Sequence, residues 1–187
     1  MHSKEPPTNS LQIAIIGGGI AGLTLALGLL ARGITTTVYE RSASLREIGA
    51  GIGFTPNAER AMHVLDARIH AAFKRVTVQN GTDWFMWVDG SYQGGSNKRL
   101  DQDTLIHRMY LGERGFEGCH RADFLDELFK MMGRDTVQFC RNLESVVELG
   151  CGEGVELRFT DGHSAAADVG MPTSYALTNW GIQNVVY

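Results

Sequence analysis

Cysteine is scarce in this chain and poorly placed for chemistry. Cys119, Cys140 and Cys151 are odd in number and form no CxxC pair. That excludes a disulfide scaffold and offers no metal-ligand spacing, so no metal is expected; the three read as reduced thiols of a cytoplasmic protein. Cys119 adjoins His120, but sequence neighbours rarely share a catalytic geometry. Excess basic charge is lacking too. Lys and Arg number 17 against 21 Asp and Glu, a net charge of -4, with no basic arm, so nucleic acid is not an expected partner. The polar residues 1–10 carry no apolar stretch of a secretory signal. One long apolar run, residues 11–31, carries no charge, and roughly 20 apolar residues can cross a bilayer. Gly17-Gly18-Gly19 interrupts it at about 1 kcal/mol per glycine of helix. A Gly18-xxx-Gly22 spacing keeps a membrane helix open as a rival, although no membrane is expected. What remains is 43% hydrophobic over 187 residues, enough for one packed domain.

Residues 11–16 (LQIAII) predict a buried parallel strand, because they are apolar, rich in branched side chains and end in glycine. Residues 20–32 predict a helix stopped by Gly33. Residues 35–40 (TTTVYE) are β-branched and predict a second strand. Strand, glycine turn, helix and strand make a right-handed βαβ unit. A glycine-rich loop follows at 46–53, then Thr55-Pro56 as the cap and first turn of a helix to about Asp66. Residues 76–79 and 84–88 predict strands joined through Asn80-Gly81 as a hairpin. Residues 91–103 read as loop and 121–132 as an amphipathic helix. Strands are expected at 136–139, 143–149, 155–159 and 164–169, with a turn at Asp161-Gly162. Residues 170–187 have no charge and no clear period.

Gly17, Gly19 and Gly22 form GxGxxG between the first strand and the helix. Gly17 permits the tight turn, Gly19 lets a pyrophosphate approach the backbone, and Gly22 lets the helix pack close to the strands. The helix start aims N–H groups and the positive dipole end at the phosphates. Glu40 closes the second strand and can accept hydrogen bonds from ribose hydroxyls. The motif alone does not separate FAD from NAD. Glu40 repels a 2′-phosphate, which disfavours NADP here.

With these stretches in view, the chain resembles the FAD-dependent aromatic-ring monooxygenases of salicylate hydroxylase type. The resemblance rests on residues 13–29 (IAIIGGGIAGLTLALGL), 38–41 (VYER), 47–66 (EIGAGIGFTPNAERAMHVLD) and 115–129 (GFEGCHRADFLDELF). It implies an α/β, Rossmann-like FAD-binding domain at 1–169, with an inserted β element at about 76–110 that begins a substrate domain. It implies that Gly17, Gly19, Gly22 and Glu40 hold the ADP part of FAD and that Arg41 lies beside the adenosine. Ala50, Gly51 and Ile52 would lie near the flavin. Arg121 would contact the diphosphate and ribityl region, where a guanidinium fork pairs with phosphate oxygens. The implied reaction uses NAD(P)H and O2 to hydroxylate a small aromatic substrate.

After Val169 the resemblance breaks. The family's Asp-Gly motif is replaced by Gly170-Met171-Pro172-Thr173-Ser174. Residues 170–187 are therefore expected to be a divergent tail, from a frame change, a retained intron or a truncated gene, and the protein to be C-terminally truncated relative to the family. A different flavin oxidoreductase and a non-catalytic nucleotide-binding remnant stay open. No catalytic base stands out. Trp84, Phe85, Trp87 and Tyr92 fit either a flat substrate or sheet packing, and His107 and His120 have no visible partner.

Overall fold

The computed structural model describes residues 11–45, 50–89, 105–113, 115–133 and 135–173. In chain order the elements are β1 (Gln12–Ile16), α1 (Ile20–Leu30), β2 (Thr35–Tyr39), β3 (Gly51–Phe54), α2 (Pro56–Leu65), α3 (Ala67–Val76), β4 (Val78–Gln79), β5 (Trp84–Val88), β6 (Leu105–Tyr110), β7 (Glu117–His120), α4 (Arg121–Phe129), β8 (Val137–Gln138), β9 (Leu143–Glu148), β10 (Val155–Phe159), β11 (Ser164–Ala167) and β12 (Val169–Pro172). Two compact units divide them: Met1–Ile48 with Leu125–Tyr187, and Gly49–Phe124.

The first unit is built on a four-stranded parallel sheet in the order β12-β1-β2-β8. Alternation along β1 gives the sheet two apolar faces. Ala14 packs with Tyr39, Leu157 and Phe159, so a second, antiparallel sheet (β11-β10-β9) covers that face. Ile13, Ile15 and Val38 point the other way and are buried. The crossover helix α1 contacts β1 and β2 and buries Leu23, Ala26 and Leu27. Beta-branched residues suit the two inner strands, where the ladder is complete on both sides. Pro172, which lacks an N–H, sits in β12 at the sheet edge, where strands tolerate proline.

The second unit packs α2 and α3 beside a three-stranded sheet (β3-β7-β4) and carries a two-stranded ribbon, β5-β6. Phe54, Phe73 and Phe124 meet edge-to-face at 5.2–5.7 Å between ring centroids. Beside them lies a charge network. Lys74 Nζ is 2.7 Å from Glu117 Oε1 and 2.5 Å from Glu59 Oε1. Thr77 donates to Glu117 Oε2 at 2.9 Å, and His70 Nε2 lies 2.8 Å from Glu59 Oε1. Glu117 is buried and accepts from a lysine and a hydroxyl, as a buried carboxylate requires. Burial alone would raise the Glu59 pKa, but hydrogen bonds and positive charge from His70 and Lys74 outweigh it and hold the carboxyl below its ordinary 4.5. A depressed carboxylate stabilises the fold above its unfolded pKa and loses that contribution as pH falls through its folded value. Glu59→Gln is expected to be less stable than wild type at neutral pH, by roughly 1–3 kcal/mol, and to converge with it as pH falls through the depressed carboxyl pKa. Thermal melts of both proteins across that range check it; a constant gap would refute it.

Several expectations change. The loop expected at 46–53 gives way at Gly51 to β3, and the strand expected at 164–169 is two strands, β11 and β12, the second running to Pro172 inside the expected tail. Residues 76–79 are not one strand, because Val76 closes α3 and β4 holds only Val78 and Gln79. Asn80-Gly81 does not join a hairpin. Gly81 has a positive φ of 78° and turns the chain, but β4 pairs with β7 while β5 pairs with β6. The rival reading of 11–31 as a membrane helix falls: the run divides into β1 and the 11-residue α1. No helix among the described residues is long and apolar enough to cross a membrane. The expected loop at 91–103 and Tyr92 lie outside the described residues.

Candidate dinucleotide-binding site

The glycine turn sits at the carboxyl end of β1, in the first unit. Gly17 has φ +112°, a conformation other residues rarely adopt, and its N–H donates to Tyr39 O at 2.9 Å. A Cβ on Gly22 would stand 1.9 Å from Gly17 O, so helix and turn touch backbone to backbone. Gly19 is the extended residue before α1. The first helical hydrogen bond runs from Leu23 N to Gly19 O at 2.9 Å. The N–H groups of Ile20, Ala21 and Gly22 lie ahead of it and have no helical carbonyl to bond. They point along the helix axis with the positive end of its dipole.

Glu40 is fixed by its own backbone. Its N–H donates to Gln138 O at 2.9 Å and its carbonyl accepts from Arg141 N at 2.8 Å, so β8 and the turn after it hold the end of β2. That turn contains Cys140, a non-glycine residue at φ +58°. The Glu40 side chain accepts from Gly18 N at 2.6 Å through Oε2 and from Ser42 N at 2.8 Å through Oε1. The glycine turn and the acid are thus one hydrogen-bonded assembly. Arg41 is exposed beside it.

The other candidate residues belong to the second unit. Ala50 is exposed, and its carbonyl accepts from Arg121 N at 3.1 Å, so those two lie side by side. Gly51 opens β3; among the described residues no atom beyond its chain neighbours lies within 4 Å of where its Cβ would stand. Ile52 follows on β3, paired with Cys119 on β7. Arg121 is half-buried at the first turn of α4. Cys119 and His120 alternate on β7 and so face opposite sides. Burial and the nearby Asp123 charge push the Cys119 thiol pKa up, the reverse of what a nucleophile needs. On the ribbon, Phe85 and Trp87 meet edge-to-face with ring centroids 4.6 Å apart and both are exposed, while Trp84 is half-buried under Arg108.

A phosphate-approachable turn without side chains, a helix start with unbonded N–H groups and a carboxylate at the next strand end suit an adenosine diphosphate. Residues 10–131 match the FAD binding domain. The chain belongs to that family. The chain is 61% identical over 162 residues to the dual trans-enoyl reductase/FAD-dependent monooxygenase tazHJ of Aspergillus terreus, covering 87% of this chain and 22% of that protein. A salicylate hydroxylase of Sarocladium schorii is 36% identical over 170 residues, covering 87% of this chain and 34% of that protein. A solved salicylate hydroxylase substrate complex superposes with a TM-score of 0.63 at 27% identity, over 88% of this chain and 36% of that one. The chain therefore spans well under half the length of each of these relatives.

Two features of the domain escaped the sequence. The Glu40 carboxylate bonds Gly18 and Ser42, and only the fold shows those N–H partners. Thr173, outside the matched span, follows β12 and reaches the glycine turn. A hydroxyl after an apolar pair is a faint signal, since parallel strand ends are where such sites gather.

Proposed function

We propose that this chain carries the FAD-binding portion of a FAD-dependent monooxygenase that inserts one oxygen atom from O2 into a small aromatic substrate, with NAD(P)H as reductant. The observation that carries the reading is the close approach of Gly22 to Gly17 O at the end of β1, beneath a helix start whose first N–H groups have no helical carbonyl to bond. In this reading Gly17, Gly19 and Gly22 let the pyrophosphate reach the backbone, and the N–H groups of α1 bind it. Glu40 takes the ribose hydroxyls on lone pairs that Gly18 and Ser42 leave over. Arg41 flanks the adenosine. Ala50, Gly51 and Arg121 serve the flavin, ribityl and diphosphate region by likeness to the family, and the Arg121 fork neutralises phosphate charge. When bound, FAD supplies the redox and oxygen chemistry, and the protein orients it and excludes water. The FAD-binding domain is taken as 1–169 with the start of a substrate domain at about 76–110, and the protein as cytoplasmic.

The test is the visible spectrum after incubation with FAD and desalting. A retained flavin band is expected; a colourless protein would defeat the reading. One sequence observation favours a second reading, a non-catalytic FAD-binding protein: the stretch Gly170-Met171-Pro172-Thr173-Ser174 replaces the family's Asp-Gly motif. NAD(P)H oxidation stimulated by an aromatic acid separates the two.

A further inference from the structure

The glycine turn has a weakness. Gly17-Gly18-Gly19 is three residues with the largest backbone freedom of any, so an unrestrained turn samples many conformations that cannot meet a phosphate. The fold restrains one peptide unit, that between Gly17 and Gly18, at both ends. Its N–H side is held by Glu40, with Gly18 N donating to Oε2 at 2.6 Å. Its carbonyl side is held by Thr173, whose hydroxyl lies 3.1 Å from Gly17 O and 3.0 Å from Ile16 O. Ile16 O also receives the Thr173 backbone N–H at 3.0 Å, so it keeps a donor without the hydroxyl, whereas Gly17 O depends on the side chain. The same Oγ1 occupies space that glycine leaves open: it lies 2.8 Å from where a Gly17 Cβ would stand and 3.2 Å from that of Gly22. Thr173 is delivered there by β12, which pairs in parallel with β1 from Ile13–Val169 to Ile16–Pro172. Asp168 holds the other end of that pairing through Gln12 N at 2.6 Å.

We propose that Thr173 is a positioning residue for the dinucleotide phosphates: with Glu40 it clamps the Gly17–Gly18 peptide plane, so the turn is set before the ligand arrives. The proposal rests on the reading that this turn binds a dinucleotide. It assigns a role to a residue outside the span matched by the family. A preset turn lowers the ordering cost of binding, so releasing the clamp weakens affinity without removing any ligand contact.

The test uses the full chain, with ADP as the probe, by isothermal titration, and melting of the ligand-free protein alongside. Thr173→Val keeps the shape and loses the donor; it is expected to raise the Kd for ADP roughly three- to tenfold. Thr173→Ser keeps the donor and is expected to stay within about twofold of wild type. A purely structural role would lower melting and leave the Kd of the folded protein unchanged. Val binding ADP as wild type does, or Ser binding as weakly as Val, overturns the clamp while leaving the proposed function standing. Wild type failing to bind ADP takes down both.

Discussion

Gly22→Ala is expected to abolish flavin retention and to lower the melting temperature by several degrees. The added methyl would stand 1.9 Å from Gly17 O and 3.1 Å from Gly17 C, both backbone atoms of the turn. Neither can rotate away as a side chain does, so α1 or the turn must move. Overpacking of this kind costs about 1–3 kcal/mol, and in a chain of this size each kcal/mol is worth roughly 2–4 °C. Alanine returns up to about 1 kcal/mol through helix propensity, which does not cover that cost. The functional loss is larger than the loss of stability, because the displaced atoms are those the pyrophosphate must approach; binding is expected to weaken on the order of tenfold or more. Gly150→Ala is the control. Among the described residues no atom beyond its own stretch of chain lies within 4 Å of its Cβ position and its φ is not positive, so it is expected to fold and melt as wild type. Desalting spectra and melts of the two variants decide the matter: Gly22→Ala holding flavin at wild-type level would show that the close approach is not part of the site.

The same contrast shows where the sequence was informative. β1, α1 and β2 were legible because each is local: an apolar run, a run of helix formers ended by glycine, and a β-branched run, all within 30 residues. The antiparallel group β9, β10 and β11 was legible for the same reason, with Gly162 at φ +80° in the expected turn. What escaped is set by distant partners. β3 lies in a glycine-rich stretch with little strand propensity, and becomes a strand by pairing with β7, more than sixty residues on. Asn80-Gly81 made the turn it promised, but the partner of β5 was chosen by the Trp84–Tyr110 contact and the ladder to β6. β12 is the clearest case. Residues 170–172 carry no period and include a proline, yet they form an edge strand because β1 offers an open ladder beside them. The glycines and Glu40 were readable from spacing. The Gly18 N–H that Glu40 binds, 22 positions away, and the Thr173 hydroxyl, 156 positions from Gly17, were not, because no spacing rule links either pair.

Glu40→Gln is expected to cost more than the loss of one charge. The carboxylate presents an acceptor to each of two backbone donors, Gly18 N at 2.6 Å and Ser42 N at 2.8 Å. An amide has one acceptor oxygen and one donor nitrogen. Whichever way the glutamine turns, one N–H faces another donor, and the ribose hydroxyls compete for the remaining oxygen. A hydrogen bond to a charged group is worth roughly 1.5–3 kcal/mol, so affinity for FAD and ADP is expected to fall about ten- to a hundredfold. The fold should survive, because Glu40 is only half-buried and its backbone bonds to Gln138 and Arg141 do not use the side chain. Removing the charge also removes the repulsion against a 2′-phosphate. The preference for ADP over adenosine 2′,5′-bisphosphate is therefore expected to narrow in the same variant in which both bind less well. Titration of the two nucleotides against wild type and Glu40→Gln separates the roles: weaker binding with an unchanged preference leaves only the turn-holding role, and a narrowed preference at full affinity leaves only the ribose contact. Affinity and preference both at wild-type values would remove Glu40 from the site.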